Sequence, residues 1–396
     1  MSMIKLLANR QFRNFFLADI ISGFGVGLTT VGANWYMLAQ THSNGMVGMY
    51  LTVNVVVGFI MAPIAGYLTD RWSRRTVILW SFLGRALPMV LIAVVFATSG
   101  FNVWVMYALA ALTGAGWITY MSASRSYIQA ILPTDLLGVA NSFVEVSLQV
   151  GMFVAGAASG IILNFTGFLT ILVINIIMFL FGTWLIWRSP HDHVSRGETL
   201  PVNTGFVAGL RYVLARPIVL LVGVLSVLPL LVTQLFNVSS PAYVADVLQQ
   251  SSVVYGTADM LYGVGGLTAG LITARIISRY DQRWMIIAYF ALASLALITL
   301  YWGRAALLMY LCTYGIGLAN SSLRIVTNTV LMERVERQYM GRATSIWNGT
   351  AQFLEIFASS WIGIMNDRLG SNFGFLVMFV IMVAGIVISV VARRVG

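Results

Sequence analysis

The chain has 396 residues, of which 59% are hydrophobic and 9% charged, with a formal net charge of +10. A soluble domain carries about 25% charged residues, so this composition excludes an ordinary soluble domain and describes a membrane protein. The single cysteine, Cys312, excludes an intrachain disulfide; the positive charge is read from its distribution, not as a signal for nucleic acid, which is not expected as a partner.

A helix crosses the hydrocarbon core with about 20 apolar residues. Twelve such stretches are predicted, at 13–38, 47–68, 77–98, 103–126, 137–163, 166–187, 218–239, 254–276, 284–302, 305–331, 343–365 and 373–392. The first is too long for a cleavable signal peptide, and no small-residue cleavage site follows it before the second. With a cytoplasmic N-terminus, 20 of the 23 Lys and Arg residues fall on inside segments, Arg304 and Arg368 fall outside, and Arg85 lies within span three. That asymmetry is the positive-inside pattern. It predicts an integral protein of a bacterial inner (cytoplasmic) membrane with both termini on the cytoplasmic side.

Span two ends on "GYLTDRWSRR", Gly66 to Arg75, a single acid among three arginines after seventeen uncharged residues. The longest loop follows span six. Its first part, "SPHDHVSRGETLPVNT", has turn and charge composition, and its HDH (His191 to His193) is read as a solvated turn, not a metal site. Its second part, "GFVAGLRYVLAR", carries apolar Phe206, Val207, Leu210, Val213 and Leu214, the spacing of a short amphipathic helix on the membrane surface. The loop divides the chain into a six-span bundle at 1–187, a linker at 188–217 and a second bundle at 218–396.

The two halves repeat. "AGYLTDRWSRR" at Ala65 aligns with "AGLITARIISR" at Ala269, "SRSYIQAIL" at Ser124 with "LRIVTNTVL" at Leu323, and "GVANSFVEVSLQ" at Gly138 with "GRATSIWNGTAQ" at Gly341. Such internal repeats mark secondary transporters that bind substrate near the membrane midplane.

On these features the chain resembles the major facilitator superfamily, whose pattern between helices two and three falls here on Gly66, Asp70, Arg71, Arg74 and Arg75. The resemblance implies an all-α membrane protein of twelve transmembrane helices in two pseudo-symmetric six-helix bundles. It also implies that Asp70 is held against the start of helix eleven, near Gly341 and Arg342, as a cytoplasmic gate latch. Arg125 and Arg324, equivalent in the repeat, are expected beside it. In the second copy Ala274 replaces the acid. A narrower likeness, in "NRQFRNFFLADIIS", "GFVAGLRYVLARPIV" and "GRATSIWN", is to the branch holding macrolide-efflux proteins and the enterobactin exporter. The family's antiporter pattern in helix five is incomplete. "GMFVAGAASGII" keeps Gly151, Gly156 and Gly160 but has Ala157 where Pro would stand. Gly263, Gly266 and Gly270 of span eight are the expected partner face for this helix.

Ionisable groups inside a membrane mark function. Asp19 lies about 9 Å into span one, at about 1.5 Å per residue. Glu145 is in span five, Asp259 in span eight and Glu355 near the centre of span eleven. In the family these helices face the central cavity, so all four acids are proton-coupling candidates, Glu355 first and Glu145 second. Arg85 lies on a helix the family keeps peripheral; it is expected either to pair with an acid such as Asp19 across the helix-one interface or to snorkel, a structural role in both cases. Gln149 and Gln352, equivalent in the repeat, together with Asn348, Trp117, Tyr120, Tyr262 and Trp347, are the expected substrate-binding residues. The chain holds no P-loop, nucleophile elbow or zinc pattern, so an enzyme is not expected, nor a cofactor.

The reading is a secondary active transporter, proton-coupled, exporting a mid-sized amphipathic or aromatic compound such as a drug or siderophore by alternating access, as a monomer among membrane lipid. Two alternatives stand beside it: a proton-coupled importer or uncoupled facilitator, and a non-transporting sensor or lipid-handling protein on the same scaffold.

Overall fold

The structure, a computed structural model, describes residues 9–132, 134–189, 206–277 and 279–395. Among them every regular element is helical. In hydrocarbon no water satisfies backbone N–H and C=O groups, so a spanning segment that is not a barrel must be a helix. Twelve helices have twenty residues or more. They are α1 Arg10–Thr41, α2 Asn44–Arg71, α3 Arg74–Ser99, α4 Val103–Ile131, α5 Thr134–Phe165 and α6 Phe168–Trp187. After the short α7, Phe206–Leu214, come α8 Pro217–Ala242, α9 Ser252–Ile276, α10 Gln282–Trp302, α11 Ala306–Arg334, α12 Arg337–Leu369 and α13 Phe373–Val395. A π-helical turn, Tyr243–Val247, continues α8.

Each predicted span is therefore a helix, but several run past the apolar stretch. The stretch read at 343–365 is helical from Arg337 to Leu369. Apolar content marks where a helix must avoid water; it does not mark where the helix stops. Stops are set by caps. The Asn9 side chain accepts from the amides of Gln11 and Phe12, Ser73 from Thr76, and Asn102 from Trp104 and Val105. Arg75 acts from a distance: its Nε donates to the Ile186 carbonyl at 3.0 Å and its Nη2 to that of Trp187 at 2.5 Å. It thus ties the end of α6, where carbonyls lack intrahelical partners, to the start of α3. Among the described residues nine helices are long and apolar enough to cross a membrane; α5, α9 and α12, which carry Glu145, Asp259 and Glu355, are outside that set.

The chain forms two compact units. The first comprises Met1–His42 and Tyr50–Glu198, the second Ser43–Met49 and Thr199–Gly396. In the first, α1 packs on α5 and α6, and α3 on α4 and α6. The close partner of α5 in its own unit is α1, where Gly151 lies against Ile20 and Phe24. In the second unit α9 packs on α11, α10 on α11 and α13, and α8 on α11, α12 and α13. Here Gly270 is exposed with open space around it, while Gly317 of α11 meets the backbone of Tyr262 on α9.

The helix predicted to lie on the membrane surface is α7, and it is docked. Val213 is buried in a cluster with Val219, Val222, Leu331, Val335 and Ala343. Tyr212 stacks on Tyr339 with ring centroids 4.2 Å apart, and its hydroxyl accepts from the Glu336 amide. Arg216 pairs with Glu336 at 2.5 Å. The linker helix thus belongs to the second unit, with Leu210 and Leu214 left exposed. The HDH sequence lies outside the described residues.

Gly315 and Gly317 give a matched test of helix packing. A side chain at Gly317 would strike the Tyr262 carbonyl, whereas Gly315 faces open space. Overpacking costs about 1–3 kcal/mol, so Gly317→Leu lowers the unfolding midpoint in detergent while Gly315→Ala leaves it unchanged. Equal midpoints for the two variants would contradict the close α9–α11 approach.

Candidate functional site

In the first unit the polar groups converge on α1. Asp19 is 1% exposed. Tyr120 on α4 donates its hydroxyl proton to Asp19 Oδ1 at 2.6 Å, and Ser147 on α5 donates to Oδ2 at 2.8 Å. One turn along α1, Ser22 accepts from Arg85 Nη2 at 3.4 Å, and Arg85 Nε donates to the Ser81 carbonyl at 2.9 Å. The guanidinium, also 1% exposed, lies over Phe179 at 4.4 Å, Phe82 at 5.2 Å and Tyr120 at 5.7 Å. Arg85 and Asp19 are thus joined through Tyr120, whose ring faces one and whose hydroxyl bonds the other. Two ionisable groups of opposite sign share one buried core, and aromatic faces lie against the cation as in cation–π contacts.

Tyr120, expected to line a substrate site, is fully buried in this arrangement. Trp117, one turn earlier, is half-buried. Glu145 and Gln149 lie on α5, but their side chains are outside the described residues.

The second unit is built differently. On α8, α9 and α11, the Thr233 hydroxyl and the Tyr262 hydroxyl lie 2.7 Å apart, and Asn320 Nδ2 donates to Tyr262 at 3.1 Å and to Thr233 at 3.3 Å. Phe236 stacks against the Tyr262 ring at 5.8 Å. The Asn320 carbonyl oxygen, in a residue 1% exposed, has no partner among the described residues. Between α8 and α12, Gln234 donates to the Ser359 hydroxyl at 3.1 Å, and that hydroxyl donates to the Glu355 backbone carbonyl at 2.7 Å.

Two carboxyl groups stand beside these networks without joining them. Asp259 on α9, one turn before Tyr262, and Glu355 on α12 are both half-buried. No hydrogen bond or ion pair to either side chain is formed by the described residues. Gln352 is half-buried near Glu355 on the same helix and Asn348 is exposed. Trp347 is seated differently from the lining role expected of it. It is 7% exposed, packed with Val222, Val227, Ala343 and Ala351, because glycine at 223 leaves room for an indole on α8.

Of the expected gate residues, Asp70 and Arg71 are exposed, with Arg71 over the Tyr67 ring at 4.9 Å. Gly66 faces open space. Arg74 is half-buried, and Arg125 and Arg324 are exposed. Three residues that organise these sites were not singled out from the sequence: Ser22, Ser147 and Thr233, ordinary helix hydroxyls in the sequence.

Comparison with known proteins accounts for this architecture. The Major Facilitator Superfamily model matches residues 15–354 and 224–395. Among relatives, the class C tetracycline resistance protein of Escherichia coli is 24% identical over 314 residues, 75% of this chain and 76% of its own length. The multidrug efflux pump Tap of Mycolicibacterium fortuitum is 24% identical over 383 residues, 91% of this chain and 90% of its own. Among solved structures, a bacterial homologue of the human lysosomal transporter Spinster superposes with a TM-score of 0.78 at 13% identity, covering 97% of this chain and 96% of that one. The D-xylose-proton symporter gives a TM-score of 0.76 at 16% identity, covering 96% and 97%. With twelve long helices, two internally repeated halves and this family match, the chain belongs to the Major Facilitator Superfamily and is an integral membrane transporter, not an enzyme.

Proposed function

We propose that the chain is a proton-coupled exporter of a mid-sized amphipathic or aromatic compound, working by alternating access in a bacterial inner membrane with both termini cytoplasmic. The direction is supported by the efflux relatives, one named for tetracycline resistance and one for multidrug efflux. Coupling is supported by one observation above the others: Glu355 and Asp259 are half-buried carboxyls on the long helices α12 and α9, with no hydrogen bond or ion pair among the described residues. A carboxyl in such a place is costly and marks an ion or substrate path. One that is already bonded has little freedom to exchange its proton; one that is not bonded is open to it.

The roles then divide. Glu355 carries the coupled proton, with Asp259 second in the same unit and Glu145 as the candidate of the first half. Asp19, whose oxygens already accept from Tyr120 and Ser147, acts as the internal counter-charge of Arg85. The substrate meets Trp117, Tyr262, Gln149, Gln352 and Asn348, where an aromatic face lies near amide donors and acceptors, the lining that suits an amphipathic drug or siderophore. Asp70 with Arg71 and Arg74, and Arg125 and Arg324, form the cytoplasmic gate. The partners are the small-molecule substrate, protons and lipid.

Glu355→Gln keeps shape and size but cannot release a proton. In proteoliposomes it abolishes proton movement driven by tetracycline or ethidium, while the unfolding free energy stays within about 0.5 kcal/mol of the wild type, as for a substitution that breaks no contact. Undiminished proton movement in this variant contradicts the assignment.

Asp19→Asn behaves in the opposite manner. It leaves Arg85 without its counter-charge and unsettles two buried donors, at about 1–3 kcal/mol for each group left unsatisfied. Its unfolding midpoint and expression fall, and Asp19→Asn combined with Arg85→Met recovers both. A stable Asp19→Asn protein that has lost only proton movement would instead make Asp19 a carrier.

A further inference from the structure

Three side chains of the second unit, Thr233 on α8, Tyr262 on α9 and Asn320 on α11, form a network whose protons can be counted. Thr233 donates its hydroxyl proton to the Pro229 carbonyl, one turn back along α8, at 2.8 Å. With that proton spent, the Thr233 oxygen accepts from the Tyr262 hydroxyl, 2.7 Å away. The Tyr262 oxygen in turn accepts from Asn320 Nδ2 at 3.1 Å, and Thr233 takes the second proton of that amide at 3.3 Å. An amide NH2 has two protons and each hydroxyl has one. All four hydrogen bonds are therefore supplied, and no donor is left over. Turning the Asn320 amide round would set its oxygen against both hydroxyls, with two protons for the same four contacts. The side-chain oxygen thus faces away from the network.

What remains is an acceptor. Asn320 is 1% exposed, and its Oδ1 has no hydrogen-bond partner among the described residues. A buried oxygen left unpaired costs free energy. Joining α9 to α11 does not account for that cost, because the two helices already meet through glycine: Gly317 lies against the Tyr262 carbonyl and Gly265 against that of Tyr314. Thr233 and Tyr262 are half-buried, so the network reaches a surface of the unit. Phe236 stacks against the Tyr262 ring at 5.8 Å and backs it. Asp259, three residues before Tyr262 and so on the same side of α9, has no hydrogen bond or ion pair among the described residues. An ionised carboxyl, too, only accepts.

We propose that Asn320 is a specificity-determining residue: its Oδ1 accepts an N–H of the exported compound, so that protonated amines are taken in preference to quaternary ammonium compounds and to anions. The inference rests on the exporter reading, which supplies the ligand, and it narrows the substrate class of that reading. A hydrogen bond from a charged donor is about twice as strong as a neutral one. A site built around such a bond rejects the analogue that lacks the N–H, because its own polar group is then left unpaired. The oxygen is also covered, so a slim ammonium N–H reaches it where a methylated head does not. Asp259 adds a charge of the sign that favours an ammonium. A carboxylate or phenolate on the ligand would bring acceptors to a place that already holds a surplus of them.

The test uses a matched pair of probes: a dansyl-linked tertiary amine, protonated at neutral pH and carrying a single N–H, and its N-methylated quaternary form of the same charge. Binding to the full chain in lipid nanodiscs is followed by dansyl fluorescence. The wild type binds the amine about tenfold more tightly, the scale of one hydrogen bond to a charged group. Asn320→Leu binds the two alike. Asn320→Asp has no NH2 to hold Tyr262 and Thr233 but keeps an acceptor, and it keeps the preference; a residue that only joined helices would not be replaced in this way. Equal affinities in the wild type, the result for an oxygen that meets water only, overturn the subsite. So do binding of neither probe, loss of the preference in Asn320→Asp, or its survival in Asn320→Leu. Should Asn320→Leu fail to fold, the other two proteins decide. A wild type that prefers the amine yet moves neither probe in proteoliposomes overturns the exporter reading and leaves the subsite standing; one that exports both with equal affinity overturns the subsite alone.

Discussion

Everything in this molecule follows from the absence of water between its helix ends. A polar side chain there has only other side chains, or the backbone, with which to satisfy itself. The first unit meets most of this around Asp19, with two hydroxyl donors, an arginine among three aromatic rings and a serine one helical turn away, while Arg85 Nη1 has no partner among the described residues. The second unit does not. Its hydroxyls and amides are bonded to one another, while Asp259 and Glu355 stand apart from them. Half-buried carboxyls with no partner among the described residues are the feature that needs a reason, and proton exchange is the reason offered.

The two halves have therefore kept one scaffold and parted in chemistry. Gly317 lets α11 approach α9 in the second half as Gly114 lets α4 approach α2 in the first, each glycine against a backbone carbonyl. The charges do not repeat. The residue of α8 that stands 204 positions after Asp19, the offset of the first aligned pair, is Gly223, and what packs there is the indole of Trp347. In the first copy the buried Asp19 and Arg85 share one network, and in the second Asp259 and Glu355 have no hydrogen bond or ion pair among the described residues.

Much of this was legible in the amino-acid order. The twelve helices, their distribution of arginine and the repeated halves each reflect a single physical rule acting over twenty or more residues. Long-range averages survive local detail, and every predicted span is a helix. What escaped were pairings. Arg85 was readable as an anomaly on a peripheral helix, with pairing to an acid such as Asp19 one of two alternatives, but the bridge through Tyr120 and Ser22 depends on rotamers and helix rotation that no periodicity encodes. Trp347 and Tyr120 looked like lining because aromatic residues on cavity helices look alike from sequence; whether a ring faces inward turns on the residue opposite, glycine 223 in one case and an aspartate in the other. The docking of α7 depended in the same way on Tyr339 and Glu336, which the linker's own pattern could not reveal.

The measurement that bears most directly on proton exchange at an unpartnered carboxyl is made on the unmodified protein in proteoliposomes loaded with a pH-sensitive dye. A proton gradient is imposed in one direction and then in the other, with tetracyclines and cationic dyes as the transported compounds. The account predicts that the compound moves against the protons and that reversing the gradient reverses its flow. Flow that continues unchanged after the gradient is collapsed would contradict it and leave an uncoupled facilitator.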